Sequence, residues 1–280
     1  MHCVEYAGGA ETFLMKMYRQ LDRTCYQMDF VVSGDGRGYY EHEIERLGGR
    51  VFRITRKTKD FSAYRRELFD AVREDGCPVV LRIGSNAFSA IDLWIAKRAG
   101  ARRLALRSSN ASDGQAGLGM LLQRALRRPL TSVANVKIAP SDLAAEYTFG
   151  PMAMRKGEVH YLRNALDLDA YAFSAEKRTA IRAELSIDAD ALVVGHVGRF
   201  APQKNHGFLI EVFTELLKSR PDARLVLVGK GELEDEVCAK AEAFGVLGSI
   251  VFTGVPTCLR CFLPSMRWRC PRCTRACPTL

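Results

Sequence analysis

The chain has 280 residues, 48% of them hydrophobic and 26% charged, with a net charge of +9. That length suits two domains at roughly 150 residues each, the composition is that of a globular protein, and no run of ~18 apolar residues is present to span a bilayer. The opening Met1-His2-Cys3-Val4-Glu5 has no basic segment followed by an apolar core, so it does not read as a secretory signal and a cytoplasmic protein is expected.

Taken in chain order, helical patterns and short apolar runs alternate from end to end. After the glycine-led helix 10–21 come a strand at 30–32, a helix at 40–47, a strand at 51–54 and a helix at 63–74. Strands at 79–83, 104–106, 136–139 and 159–162 are then separated by helices at 87–99, 118–131 and 141–149. A helix at 175–185 precedes strands at 192–197, 225–228 and 250–252, with helices at 207–217 and 233–243 between them. Ser62 and Ser141 are the expected N-caps, and Gly48 and Gly100 lie just beyond helix ends. Such alternation predicts parallel sheets with helices on both faces.

The stretch Asn164-Ala165-Leu166-Asp167 forms a seam before a fresh series of strands. We therefore expect an N-terminal domain over 1–165, with its first strand missing or vestigial, and a partial C-terminal domain over 166–255. A Cys/Arg-rich tail over 256–280 follows. Two doubly wound α/β domains facing across a cleft are expected, the C-terminal one incomplete. Charge is uneven: residues 1–173 hold 26 Lys and Arg against 20 Asp and Glu, residues 174–255 hold 10 against 12, and the last 25 residues hold five Arg and no acid. A basic first half suits an anionic membrane surface or acidic substrates, and equally a solvated surface with surplus cations.

The tail carries Cys258, Cys261, Cys270, Cys273 and Cys277. Two Cys-x2-Cys knuckles are a zinc-ligand spacing, although the eight residues between them fall short of the usual ~15–20. With five Arg nearby, a small zinc-bearing nucleic-acid module is one reading. The composition has neither acid nor Lys nor Gly after Val255, which fits translation in a shifted frame of a GC-rich gene, or disorder. We adopt the latter reading and expect no metal and no nucleic-acid partner.

The most informative stretch is Val193 to His206. An apolar run breaks at Gly198, and Asn205 opens a helix with Phe208, Leu209, Val212, Phe213, Leu216 and Leu217 at three- and four-residue spacing. Arg199 and Lys204 thus lie at the carboxyl end of a strand just before a helix, where open α/β sheets bind ligands and helix amides meet phosphate. Val228-Gly229-Lys230-Gly231-Glu232 repeats the strand–glycine–helix pattern one unit later, and Gly8-Gly9-Ala10-Glu11-Thr12 opens the first helix in the same way. Each of these loops is equally readable as a plain turn. His196, inside an apolar strand, is expected to be structural. His2, His42, His160 and His206 show no ligand spacing, and Arg107-Ser108-Ser109-Asn110 is either cleft-facing or a capped turn.

Taken together, Gly8-Gly9-Ala10-Glu11-Thr12, Phe30-Val31-Val32, Asn164-Ala165-Leu166-Asp167, Gly195-His196-Val197-Gly198-Arg199-Phe200, Gln203-Lys204-Asn205-His206, Val228-Gly229-Lys230-Gly231-Glu232-Leu233 and Val251-Phe252-Thr253-Gly254-Val255 resemble glycosyltransferase family four, retaining enzymes of the GT-B type. The resemblance implies two Rossmann-like domains and transfer of a sugar from a UDP- or GDP-type donor to a glycan or lipid-linked acceptor in surface polysaccharide synthesis. Arg199 and Lys204 would act as the catalytic cations at the donor diphosphate, with no cofactor beyond the donor substrate. Gly8, Gly9, Gly198, Gly229, Gly231 and Glu232 would line the donor site; the expectation of peripheral contact with the inner membrane face rests on the basic first half. The chain departs from the family in lacking its Glu-x7-Glu element after Gly254, in its short start before Gly8, and in having no His after Leu81 or at Arg107. An inactive, truncated relative is therefore the alternative.

Overall fold

The computed structural model describes residues 8–34, 36–84, 86–109, 117–165, 168–169 and 172–254. The tail over 256–280, the expected vestigial strand before Gly8 and Asn110 lie outside these residues. The chain divides into two compact units, the division falling after Ala165.

In the first unit, helix α1 (Gly9–Gln20) leads to β1 (Phe30–Ser33), α2 (Glu41–Arg46), β2 (Val51–Ile54), α3 (Phe61–Asp75) and β3 (Val79–Gly84). After these come α4 (Ala90–Arg98), β4 (Arg103–Ser108), α5 (Leu118–Thr131), β5 (Val136–Ala139), α6 (Asp142–Phe149), α7 (Pro151–Arg155) and β6 (Val159–Tyr161). Strands β1 and β2 pair with each other, and β3-β4-β5-β6 form a second sheet in that order. The second unit contains α8 (Ala175–Glu184), β7 (Val193–Val197), α9 (His206–Ser219), β8 (Arg224–Val228), α10 (Glu234–Ala243) and β9 (Ile250–Gly254), its strands ordered β7-β8-β9. Every strand pair is parallel, as strands separated by helices must be when each crossover returns the chain to the same end.

The period-two alternation of β8 shows how the second unit is layered. Leu225 and Leu227 pack with Ile210, Phe213, Val237 and Ala241 of α9 and α10. Val226 and Val228 pack on the opposite side with Ile181 and Leu185 from α8 and its end. Both faces of the strand are apolar because both are covered by helices. In the first unit, Leu104 and Leu106 of β4 join Tyr64, Leu68, Leu93 and Phe149 in the main core. A smaller core joins Met15, Tyr18, Phe30 and Ile44 of α1, β1 and α2.

The structure corrects several local expectations. The cap of α3 is Asp60, whose carboxylate accepts from the Ala63 amide at 2.9 Å, because the helix starts before Ser62. Ser141 does cap α6, accepting from the Ala144 amide. The helix expected over 87–99 splits into a 3-10 turn over Ala87–Ser89 and α4. Helix α7 was not anticipated: Gly150-Pro151 reads as a break, yet Pro151 takes the first helical position, where its missing N–H costs nothing. Strand β7 is half-buried throughout, being at the edge of its sheet, while Leu225 to Val228 of β8 are 0–2% exposed.

The buried face of α9 is His206, Ile210 and Phe213, whereas Phe208 and Val212, expected on the apolar face, are 58% and 48% exposed. Two substitutions test this register by urea denaturation. Phe213→Ala should lower stability by about 3–5 kcal/mol through the cavity it leaves, and Phe208→Ala should change it by less than about 0.5 kcal/mol.

Candidate functional site

The best-formed polar site is built by two loops at the carboxyl edge of the second unit's sheet. After β7 the chain runs through Gly198, Arg199, Phe200 and Ala201 into a 3-10 turn over Pro202–Lys204 and then α9. After β8 it runs through Gly229, Lys230, Gly231 and Glu232 into α10. Backbone bonds stitch the loops together: the Gly198 amide donates to the Val228 carbonyl at 2.9 Å, Phe200 to Lys230 at 3.2 Å, and Leu233 to Phe200 at 3.2 Å. Gly229 in turn donates to Gly254, at the end of β9, at 2.8 Å.

This stitching accounts for two of the glycines. A Cβ on Gly229 would lie 2.0 Å from the Gly198 carbonyl oxygen, and Gly229 has φ +148°. A Cβ on Gly231 would lie 2.3 Å from the Phe200 carbonyl oxygen and 2.7 Å from its nitrogen. Both glycines are required by the neighbouring loop's backbone before any ligand is considered. Gly198 is needed less strictly: a Cβ there would meet His196 Cε1 at 3.0 Å and the stem of Lys204 at 3.4 Å.

The expected cations sit on this platform. Arg199 is 71% exposed and donates from Nη2 to Glu232 Oε2 at 2.8 Å, so the second loop's carboxylate grips the first loop's guanidinium. The Glu232 carboxyl is held below its ordinary range, first by its own backbone amide and then by Arg199. The Lys204 stem crosses Gly198 beside His196, and its ammonium has no carboxylate within ion-pair distance among the described residues. It follows that Arg199, Glu232 and the three glycines share one platform, and Lys204 brings to it a positive charge that no carboxylate among the described residues pairs.

Beneath the loop lies a stack that spacing in the sequence did not reveal. His206 is 3% exposed, its ring parallel to Phe200 with centroids 4.4 Å apart, and His196 meets it edge-on at 4.6 Å. Nδ1 of each imidazole is buried without a hydrogen-bond partner among the described residues. Burial, then His196, then Lys204 push the His206 pKa down to about 4, and burial followed by Lys204 lowers that of His196. Both rings are therefore neutral near pH 7, in keeping with a structural role for His196. The signal for His206 was available in register: 206, 210 and 213 form one helical stripe. A cleft of about 250 Å³ opens on the helix side of the loop, bordered by Pro202, Asn205, His206, Leu233 and Lys240.

The glycines of the first unit differ from each other. Gly8 is the N-cap of α1 and makes no side-chain cap, and a Cβ there would lie 2.3 Å from Glu11 Oε2, which folds back over it. Gly9 has open space around it. Arg107 is buried at 3% exposure, donating to Asn164 Oδ1 at 2.8 Å with its guanidinium 3.8 Å from the centroid of Phe13. Ser109 donates to the Gly84 carbonyl, so the segment after β4 is tied to β3. No group of three metal-ligating side chains occurs among the described residues, and none of their helices is long and apolar enough to cross a membrane.

Comparison with known proteins adds three findings. The family model for glycosyl transferases group 1 matches residues 177–256, which include both loops. The putative glycosyltransferase EpsF of Bacillus subtilis is 30% identical over 250 residues, covering 88% of this chain and 65% of that protein. The GDP-mannose-dependent alpha-(1-6)-phosphatidylinositol monomannoside mannosyltransferase of Mycolicibacterium smegmatis is 26% identical, covering 89% of this chain and 64% of that one. The chain thus spans slightly under two thirds of these relatives. Among solved structures, Anabaena HepE in complex with UDP and glucose superposes with a TM-score of 0.69 at 18% identity, over 94% of this chain and 70% of that one. WaaG, from lipopolysaccharide biosynthesis, gives 0.65 at 13% identity over 93% and 71%. At such identities the likeness is one of fold, two Rossmann-like domains of the GT-B type.

Two measurements test this geometry. Gly231→Ala should lower stability by about 1–3 kcal/mol by forcing the two loops apart, read as a lower urea midpoint. His206 binds a proton near pH 4 when folded and near its ordinary 6.5 when unfolded, so its contribution is complete above pH 6.5 and fades as pH falls. Between pH 7 and 4.5 the wild type should lose about 2–3 kcal/mol more than His206→Phe, which keeps the ring stack without the titration.

Proposed function

The chain belongs to the group 1 glycosyl transferases of GT-B fold, and from that premise we propose that it moves a sugar from a nucleoside-diphosphate donor to a glycan or lipid-linked acceptor in surface polysaccharide synthesis. The observation that carries this reading is the pair of cations, Arg199 and Lys204, on a glycine-stitched loop at the carboxyl end of β7. When a glycosidic bond to a diphosphate breaks, negative charge builds on the departing phosphate oxygens. Fixed cations at that position lower the barrier because they attract the transition state more than the ground state. In our reading Lys204 supplies an unpaired charge, and Arg199 supplies a planar donor fork suited to two phosphate oxygens. Together they take the part that a divalent cation takes in other transferases.

Gly198 and Gly229 leave the backbone bare where the diphosphate approaches, and Glu232 orients Arg199 while facing the nucleotide side. In the first unit, Gly8 and Gly9 open a helix that has no side-chain cap, a start suited to a substrate's anionic oxygen. HepE was solved with UDP and with UDP-glucose, and the mycobacterial relative uses GDP-mannose; we assign the donor here to the same two nucleotide classes. Transfer with retention at the anomeric carbon follows from the family resemblance.

Calorimetric titration with UDP, GDP and their sugar conjugates tests the assignment. Arg199→Ala and Lys204→Ala should each weaken binding of the preferred nucleotide by about 1.5–3 kcal/mol, the scale of a hydrogen bond to a charged group. Unchanged affinity in both variants would overturn the site assignment.

A further inference from the structure

The two histidines of the second unit sit where a positive charge would help an anion bind, and they carry none. His196, half-buried on β7, shares with Val194 the face of the sheet that α9 covers. Its Cε1 lies 3.0 Å from where a Cβ on Gly198 would stand, and the Lys204 stem is 3.4 Å from the same point. Gly198 bears no side chain, so the loop that carries Lys204 passes close over the His196 ring. His206 meets that ring edge-on with centroids 4.6 Å apart and is 3% exposed. Nδ1 of each imidazole is buried and makes no hydrogen bond among the described residues.

Burial, and after it the Lys204 ammonium, hold His196 below its ordinary range, and Lys204 acts on His206 in the same direction. The other charged groups around the pair have partners or lie aside. Arg199 pairs with Glu232 across the two loops, and Lys230 lies along Gly254. From α10, Glu236 and Lys240 border the cleft beside His206, and Lys240 pairs with Glu211 of α9. Strand β8 sets Leu227 opposite His196, β9 contributes Phe252, and α8 covers the other face of the sheet. Lys204 is therefore the charge that governs these rings. An anion lying on it cancels the repulsion and adds attraction, which favours a protonated imidazole. Only one ring can charge, because two imidazoliums so close would repel, and His196 is the less buried.

We propose that His196 is a proton-linked third cation of the platform: neutral while Lys204 stands alone, it takes a proton from solvent when a sugar-nucleotide diphosphate covers the ammonium. The inference deepens the proposed function and rests on its donor site. One proton enters the imidazole, the ring gains one positive charge, and no bond of the substrate changes in that step. The charge is then in place before transfer begins. When the glycosidic bond breaks, its electron pair leaves with the phosphate oxygen and the nucleoside diphosphate gains one negative charge. The imidazolium offsets that charge from beneath the loop, alongside Arg199 and Lys204. Linkage fixes the sign: a group that binds its proton more tightly in the complex makes donor affinity climb as pH falls, levelling off once the free protein is protonated too.

Calorimetric titration of the full chain with UDP-glucose and with GDP-mannose, in buffers of low and high ionisation enthalpy, counts the protons bound. Neither diphosphate diester titrates near neutral pH, so the count belongs to the protein. The donor that binds should bring in about 0.3–0.5 proton near pH 6, and should bind about two- to fivefold more tightly at pH 5.5 than at pH 7.5, the scale of one added charge pair near a protein surface. His196→Gln should bind the same donor with no uptake and a flat pH profile. Should that variant fail to fold, imidazole NMR of the wild type reads the same event: the His196 signal should titrate at higher pH with donor bound than without. Uptake that survives in His196→Gln, or a His196 signal that donor leaves unmoved, overturns the proposal. Binding that depends on Arg199 and Lys204 but brings in no proton removes this inference alone. Failure of both sugar nucleotides, UDP and GDP to bind removes the donor-site reading and this inference with it.

Discussion

The constraint on which the second unit's polar edge depends is the backbone-to-backbone approach of its two loops. The loop after β8 presses Gly229 and Gly231 against the Gly198 and Phe200 carbonyls, closer than any side chain allows. Because these contacts are made by main chain, they set the height of Arg199 and Glu232 above the sheet independently of side-chain rotamers. The hydrogen bonds from Phe200 to Lys230 and from Leu233 back to Phe200 then lock the two loops as one body. A flexible polar loop would lose conformational entropy on gripping a charged ligand; here most of that ordering is completed by folding.

Beneath this body, Phe200 does two things at once. Its backbone joins the loops, and its ring, 1% exposed, anchors them in the core beside His206 and within 6.1 Å of Phe252. The polar edge and the apolar interior are thus linked through a single residue. The neutral imidazoles continue the link, because Lys204 passes over His196 on its way to solvent. An imidazolium there would repel the ammonium and lie in a site poor in hydrogen-bond partners, and this is why burial wins and both rings stay uncharged.

Much of this was legible in the order of residues, for identifiable reasons. Among the described residues most strands fall where apolar runs end in glycine or polar residues, and β2 and β5 span the residues expected. The pairing of Arg199 with a neighbouring glycine loop followed from the rule that consecutive parallel strands open onto one edge. What escaped were features that need three dimensions or a register. The burial of His206 was hidden because Phe208 and Val212 made a more hydrophobic stripe, one that faces solvent instead. The exposed leucines of α5 escaped for the converse reason: an apolar periodicity reads as a core face, and only the buried Gln123 shows that it points outward. The sequence reads the glycines at 229 and 231 as lining a ligand site, and in the structure the first demand on them comes from the adjacent main chain.

The contact between Arg199 and Glu232 places a competitor before any anion that approaches this edge. A newcomer that takes the guanidinium must either evict the carboxylate or share with it, so its net gain is the difference between two ion pairs in water-exposed surroundings. A singly charged phosphate gains little from such an exchange. In the function proposed above, a diphosphate, with several anionic oxygens spread over two phosphorus centres, would hold Lys204 while competing for Arg199, and the carboxylate left behind would disfavour any further anion. Under that function the valence of the incoming group would decide the exchange, through a competitor the fold carries with it.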